Sequence, residues 1–162
     1  MNSFRSHARS LIVLSLALAA LVGTAAPVAA AEPLTEAQKV INIAREQKGD
    51  RWAFAATGPN QFDCSGLVTF AFRETGLLDR IGGKRRTVAG FYKYFIGLGK
   101  ADKVEGKPGD LIVWGRNEHM GIYLGDGMAV SALVNPYGVS VHPVKGYIGM
   151  KVKAYLHVDL ER

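Results

Sequence analysis

The chain of 162 residues carries 20 basic and 14 acidic side chains, 48% hydrophobic residues and a single cysteine. That length suits one domain with one sizeable core and falls short of two, and the apolar fraction excludes wholesale disorder. One thiol excludes an intramolecular disulfide framework, a multi-cysteine zinc module and an iron–sulfur cluster.

The first residues read as an export signal. Arg5 and Arg9 form a basic start, Leu11 to Val22 an apolar run, and Ala29-Ala30-Ala31 a small-residue cleavage site. A spanning helix would need about 20 apolar residues, and this run breaks at Gly23, Thr24 and Pro27. The expected division is residues 1–31 as signal peptide and 32–162 as the mature domain. The product is expected outside the cytoplasm, in cell wall or periplasm, with no lipid-bearing cysteine and no membrane anchor after cleavage. Without Arg5 and Arg9, 18 basic side chains face 14 acidic ones. The cluster Lys84-Arg85-Arg86 has no aromatic interleaving, so nucleic acid is not an expected partner. It reads as solvated surface, with affinity for an anionic cell wall as the sharper alternative.

Thr35 and Gln38 form a capping box ahead of Ala37, Val40, Ile41 and Ala44, which predicts a helix to about Gln47, stopped at Gly49. Gly58-Pro59-Asn60 is a turn. Asp63 then reads as the N-cap of a helix whose apolar positions Leu67, Val68, Phe70, Ala71 and Phe72 are buried and which Thr75-Gly76 ends. Cys64 falls in its first turn. A third helix starts at Thr87. After Pro108-Gly109, runs rich in Val, Ile and Tyr replace helical periodicity, and five strands are expected: Asp110–Trp114, His119–Leu124, Met128–Val134, Val139–Val144 and Val152–Val158. Gly125-Asp126-Gly127 and Asn135-Pro136-Tyr137-Gly138 are hairpin turns, so sequential antiparallel pairing follows. Helices first and an antiparallel sheet after is an α+β layout.

A lone cysteine is either buried and inert or kept for reaction. At a helix N-terminus the free N–H groups and the dipole favour the thiolate, the attacking form. Gly66, which costs a helix about 1 kcal/mol relative to alanine, points to a close backbone approach beside it. A thiol attacking an amide needs a base that also protonates the leaving amine. His119, opening a strand after the polar turn Arg116-Asn117-Glu118, is the best placed. His157 alternates with apolar neighbours and reads as a packing or solvent-facing residue, and His142 is intermediate. The histidines lack the spacing of helical zinc ligands, so no metal and no cofactor are expected.

Phe62-Asp63-Cys64-Ser65-Gly66-Leu67-Val68, Pro108-Gly109-Asp110-Leu111 and His119-Met120-Gly121-Ile122-Tyr123-Leu124-Gly125 together resemble the NlpC family, papain-like cysteine peptidases of bacterial cell walls. The resemblance implies an α+β papain-like fold with N-terminal helices on a five- to six-stranded antiparallel sheet. It implies Cys64 as nucleophile and His119 as base, hydrolysing a peptidoglycan stem peptide between D-glutamate and a diamino acid through a thioester. Peptidoglycan is then the partner and the protein a monomer. Asp63 and Ser65 inherit a substrate-recognition role, with simple capping as the alternative for Asp63.

Two departures stand out. The third polar residue that orients the histidine in the family falls at Ser131, short and uncharged, and His142 is the alternative, with water or backbone as the remaining possibility. A hairpin with Asn135 opposite Gly138 brings His142 opposite Ser131, whereas a register shifted by one sends it to the other face. Trp52 stands where relatives carry tyrosine, which bears on substrate fit. The rival functions are a CHAP-like N-acetylmuramoyl-L-alanine amidase and a degenerate wall-binding module.

Overall fold

The computed structural model describes residues 32–162; the expected export signal lies outside the described residues. Helix α1 (Glu36–Glu46) is closed at its start by the reciprocal Thr35–Gln38 capping box and buries Ala37, Val40, Ile41 and Ala44. Strand β1 (Arg51–Trp52) runs parallel to β2 (Gln61–Phe62). Helix α2 (Cys64–Glu74) follows at once, with Asp63 as N-cap and residues 65 to 72 all buried, the mark of a central helix. A single 3₁₀ turn (Leu78–Ile81) leads to α3 (Val88–Gly97), capped by Thr87.

Strands β3 (Ala101–Asp102), β4 (Leu111–Trp114), β5 (His119–Gly125), β6 (Met128–Leu133), β7 (Gly138–Pro143) and β8 (Val152–Leu156) form one antiparallel sheet in the order β3-β8-β4-β5-β6-β7. The α+β expectation holds. Pairing is sequential from β4 to β7, but β8 returns to lie against β4, on the side that β5 does not occupy. The sequence pattern does not announce β1, β2 or the edge strand β3, each only two residues long.

Alternation along the strands sorts the core. Leu111, Val113, Met120, Ile122, Val130 and Ala132 face the helices. Ile112, Trp114, Tyr123, Ala129 and Tyr155 face away, and the segment after β7 covers them with Val144, Ile148 and Met150. At the far end of β4, buried Asp110 accepts hydrogen bonds from the Val158 N–H at 3.0 Å, the Lys107 N–H at 2.9 Å and Arg162 at 2.5 Å. His157 bridges Asp110 and Asp102, each at 3.0 Å. Its role is structural. Partial burial pulls its pKa down, but the two carboxylates outweigh this and hold it above the usual imidazole value.

The β6–β7 hairpin takes neither of the two registers weighed above. Leu133, not Asn135, pairs with Gly138, so Ser131 pairs with Ser140 and His142 with Ala129. The difference is two places, an even shift, and His142 therefore stays on the face of Ser131. Among the described residues no helix is long and apolar enough to cross a membrane.

Candidate active site

A groove of about 640 Å³ lies where the first turn of α2, the β4–β5 turn and the end of β6 meet. Cys64, His119, Asp63, Ser65 and Trp52 all line it, so the fold brings together most of the residues singled out in the sequence. Ser131 and His142 lie buried behind His119.

Asp63 starts this assembly. Its Oδ1 caps α2 by accepting from the Gly66 N–H at 2.6 Å and also accepts from the Ser65 hydroxyl at 2.9 Å. Its Oδ2 takes Arg85 Nη2 at 2.5 Å. Capping and groove-lining thus coexist in one carboxylate. The basic cluster is not simply solvated: Arg85 is spent on Asp63, and Arg86 lies 4.3 Å over the Tyr94 ring while donating to the carbonyls of Ile81, Gly82 and Lys84. Gly66 fulfils its expected role. An added Cβ there would collide with the carbonyl oxygen of Ala56, which already accepts from the Asp63 N–H at 3.0 Å.

The Cys64 thiol departs from expectation. Its pKa lies above the ordinary value because burial opposes charge, and the neighbouring Asp63 carboxylate adds to this; the backbone N–H groups of Met120, Ser65 and Cys64 itself pull the other way without prevailing. The helix start is real, but desolvation outweighs it. His119, 7% exposed, is pushed down to about 4, first by burial and then by nearby His142. Burial thus disfavours the charged form of both groups.

Behind His119 the sequence offered alternatives, Ser131 or His142, and the structure uses them in series. His119 Nε2 lies 2.8 Å from Ser131 Oγ, and the same oxygen lies 2.7 Å from His142 Nε2. His142 Nδ1 lies 2.9 Å from the Pro143 carbonyl oxygen. Gly121 leaves the room for this: a Cβ there would lie 2.9 Å from the Ser131 Cβ and 2.6 Å from the Val130 oxygen. Trp114 lies against both imidazoles, with ring centroids 5.5 Å from His119 and 5.9 Å from His142. Tyr147 stacks on the outer face of His142 at 5.1 Å and 11°.

Sequence reasoning missed Tyr147 and the exposed groove residues Phe54, Val134 and Tyr137. Gly146 and Gly149, both at positive φ, bracket Tyr147 and were a usable signal that this segment folds back. Phe54 carried none.

The NlpC/P60 family model matches residues 49–156. The chain belongs to the NlpC/P60 family. It is 30% identical over 127 residues to the probable endopeptidase Cgl2188 of Corynebacterium glutamicum, covering 72% of this chain and 53% of that protein. It is 30% identical over 106 residues to the probable endopeptidase p60 of Listeria grayi, covering 64% of this chain and only 19% of that one. The relatives are thus longer than the part this chain matches. Among solved structures, the peptidoglycan hydrolase RipB of Mycobacterium tuberculosis superposes with a TM-score of 0.57 at 28% identity, over 75% of this chain and 63% of RipB. RipD of the same organism, a non-catalytic NlpC/p60 protein adapted to peptidoglycan binding, gives 0.58 at 25%, over 76% and 98%. The NlpC/P60 member has the papain-like α+β fold of these neighbours.

Proposed function

We propose that the protein is an exported cysteine endopeptidase that hydrolyses an amide bond in peptidoglycan stem peptides, between D-glutamate and a diamino acid. The observation that carries this reading is the pairing of Cys64 and His119 in one groove with His119 Nε2 engaged by Ser131. A binding module has no need of a thiol and an imidazole lining one groove with an imidazole nitrogen held by a hydroxyl. Secretion rests on the basic, apolar and Ala29-Ala30-Ala31 segments, with Glu32 as the mature N-terminus.

In this mechanism His119 Nδ1 takes the Cys64 proton as sulfur bonds to the scissile carbonyl carbon. The backbone N–H groups at the first positions of α2 have no intrahelical acceptor and stabilise the oxyanion. His119 returns the proton to the leaving amine as the C–N bond breaks, leaving a thioester. Water, deprotonated by His119, then attacks that carbonyl, releasing a carboxylic acid and the thiol. Because burial disfavours the charged form of both groups, His119 acts as a general base in the first step. Trp52, Asp63 and Ser65 contact the substrate; Ser131 positions His119 rather than touching the reacting atoms.

Mass spectrometry of muropeptides before and after incubation tests the proposal. Products ending in D-glutamate, lost in Cys64→Ala and His119→Ala, support it. Release of intact stem peptides from the sugar would instead indicate the amidase reaction. Binding without any cleavage would indicate a module of the RipD kind.

A further inference from the structure

The three polar contacts behind His119 have a direction. A carbonyl oxygen only accepts, so the 2.9 Å contact between His142 Nδ1 and the Pro143 oxygen requires a proton on Nδ1. Burial holds the His142 pKa below the ordinary imidazole value, so at neutral pH its other nitrogen, Nε2, is bare. Ser131 Oγ, 2.7 Å away, must then donate its one proton to that nitrogen. Having given it outward, the hydroxyl can only accept from His119 Nε2 at 2.8 Å.

We propose that His142 is a positioning residue which, through the Ser131 hydroxyl, selects the tautomer of His119, leaving Nδ1 as the bare nitrogen that faces the chemistry. The Pro143 carbonyl is the fixed end of the chain. A serine alone would not do this, because a free hydroxyl donates or accepts with equal ease and admits either His119 tautomer. The surroundings guard the arrangement. His142 is 1% exposed, between Trp114 on one side and the stacked Tyr147 ring on the other, so water does not replace it as the hydroxyl's acceptor. His119 and Tyr147 are the titratable side chains against it; neither supplies a carboxylate that would hold His142 charged. A carboxylate in the third position fixes tautomer by accepting only. Here the acceptor is assembled from a neutral imidazole and a hydroxyl, with the direction set one residue further away.

The functional consequence rests on the reading of Cys64 and His119 as nucleophile and base, but the tautomer itself does not. Two-bond proton–nitrogen NMR on the full chain labelled at histidine nitrogens reads it directly, at pH 7. The parent is expected to show His119 protonated on Nε2 alone. His142→Phe keeps a ring between Trp114 and Tyr147 but removes the acceptor, and His119 should become a mixture of tautomers. The kcat for amide cleavage should fall about 10- to 100-fold, less than the 10²–10⁴ that acid–base catalysis contributes, with KM unchanged. His142→Gln, whose amide oxygen can accept from Ser131, should recover part of the loss. Ser131→Ala removes one oxygen and gives the same NMR test should His142→Phe not fold. The proposal is overturned by a parent His119 protonated on Nδ1, or by a His119 that stays wholly Nε2-protonated in Ser131→Ala. Expected tautomers in a protein that cleaves no amide would leave the chain standing and sink the peptidase reading instead.

Discussion

Gly66→Ala sets helix propensity against packing at the residue where the active-site helix meets its neighbouring loop. Gly66 lies in the first turn of α2, and by propensity alone alanine would stabilise it by about 1 kcal/mol. The structure gives the opposite sign. The new methyl would run into the Ala56 carbonyl, a backbone atom that cannot rotate away, so the segment Ala53–Ala56 must shift as a unit. Overpacking of this kind costs about 1–3 kcal/mol. Straining the 3.0 Å Asp63 N–H bond to Ala56 adds about 1 kcal/mol. The net is a destabilisation of about 1–3 kcal/mol, a fall in Tm of roughly 4–10 °C for a domain of this size. Activity should fall further than stability, since the same segment follows Trp52 and carries Phe54 at the groove wall. Gly97→Ala is the control: it lies in α3 with nothing within 4 Å of an added Cβ, and should be neutral or raise Tm slightly. Calorimetry of the two variants decides the matter. A Gly66→Ala protein that melts at or above the parent temperature would show that chance, rather than the backbone approach, puts glycine beside Cys64.

Further expectations concern charge. Since Cys64 is raised by burial, iodoacetamide should alkylate it more slowly at pH 7 than a model thiol, with the rate still climbing above the ordinary thiol range; fast alkylation that is flat down to pH 5 would mean a standing thiolate–imidazolium pair. Arg85→Gln frees the Asp63 carboxylate to act fully on the thiol, so the alkylation profile should move to higher pH, and an unmoved profile would show that the Arg85–Asp63 pair has no electrostatic reach to sulfur. His119, lowered from 6.5 to about 4, binds its proton more readily in the unfolded chain, so its contribution is complete above pH 6.5 and is lost as pH falls towards 4. At about 1.4 kcal/mol per pH unit this is worth about 3 kcal/mol. Denaturant titrations at pH 7 and pH 4 should differ by that much less in His119→Gln than in the parent; equal differences would place the imidazole in solvent.

What the sequence determined by itself was local. The Thr35–Gln38 capping box, the Asp63 cap that puts Cys64 at a helix start, and the glycine-bounded strands from His119 onward depend on neighbours within a few residues; both caps are in the structure as read, and the strands lie within two residues of the expected bounds. Gly66 announced a close approach because glycine in a helix has a known local cost. The tertiary structure decided everything that needed two distant segments at once. Burial of the thiol reversed the pKa expected from the helix dipole, because desolvation depends on what packs over a group and not on its place in a helix. The hairpin register, left open by the sequence, is set by a four-residue loop between β6 and β7, which places His142 opposite Ala129 and diagonal to Ser131 on the same face. Arg85 reads as a surface cation until the fold brings it across 22 positions to Asp63. Whether Ser131 or His142 stands behind His119 had no answer along the chain, because the fold sets the two in series and ends the series on the Pro143 carbonyl, a backbone atom that looks the same in every sequence.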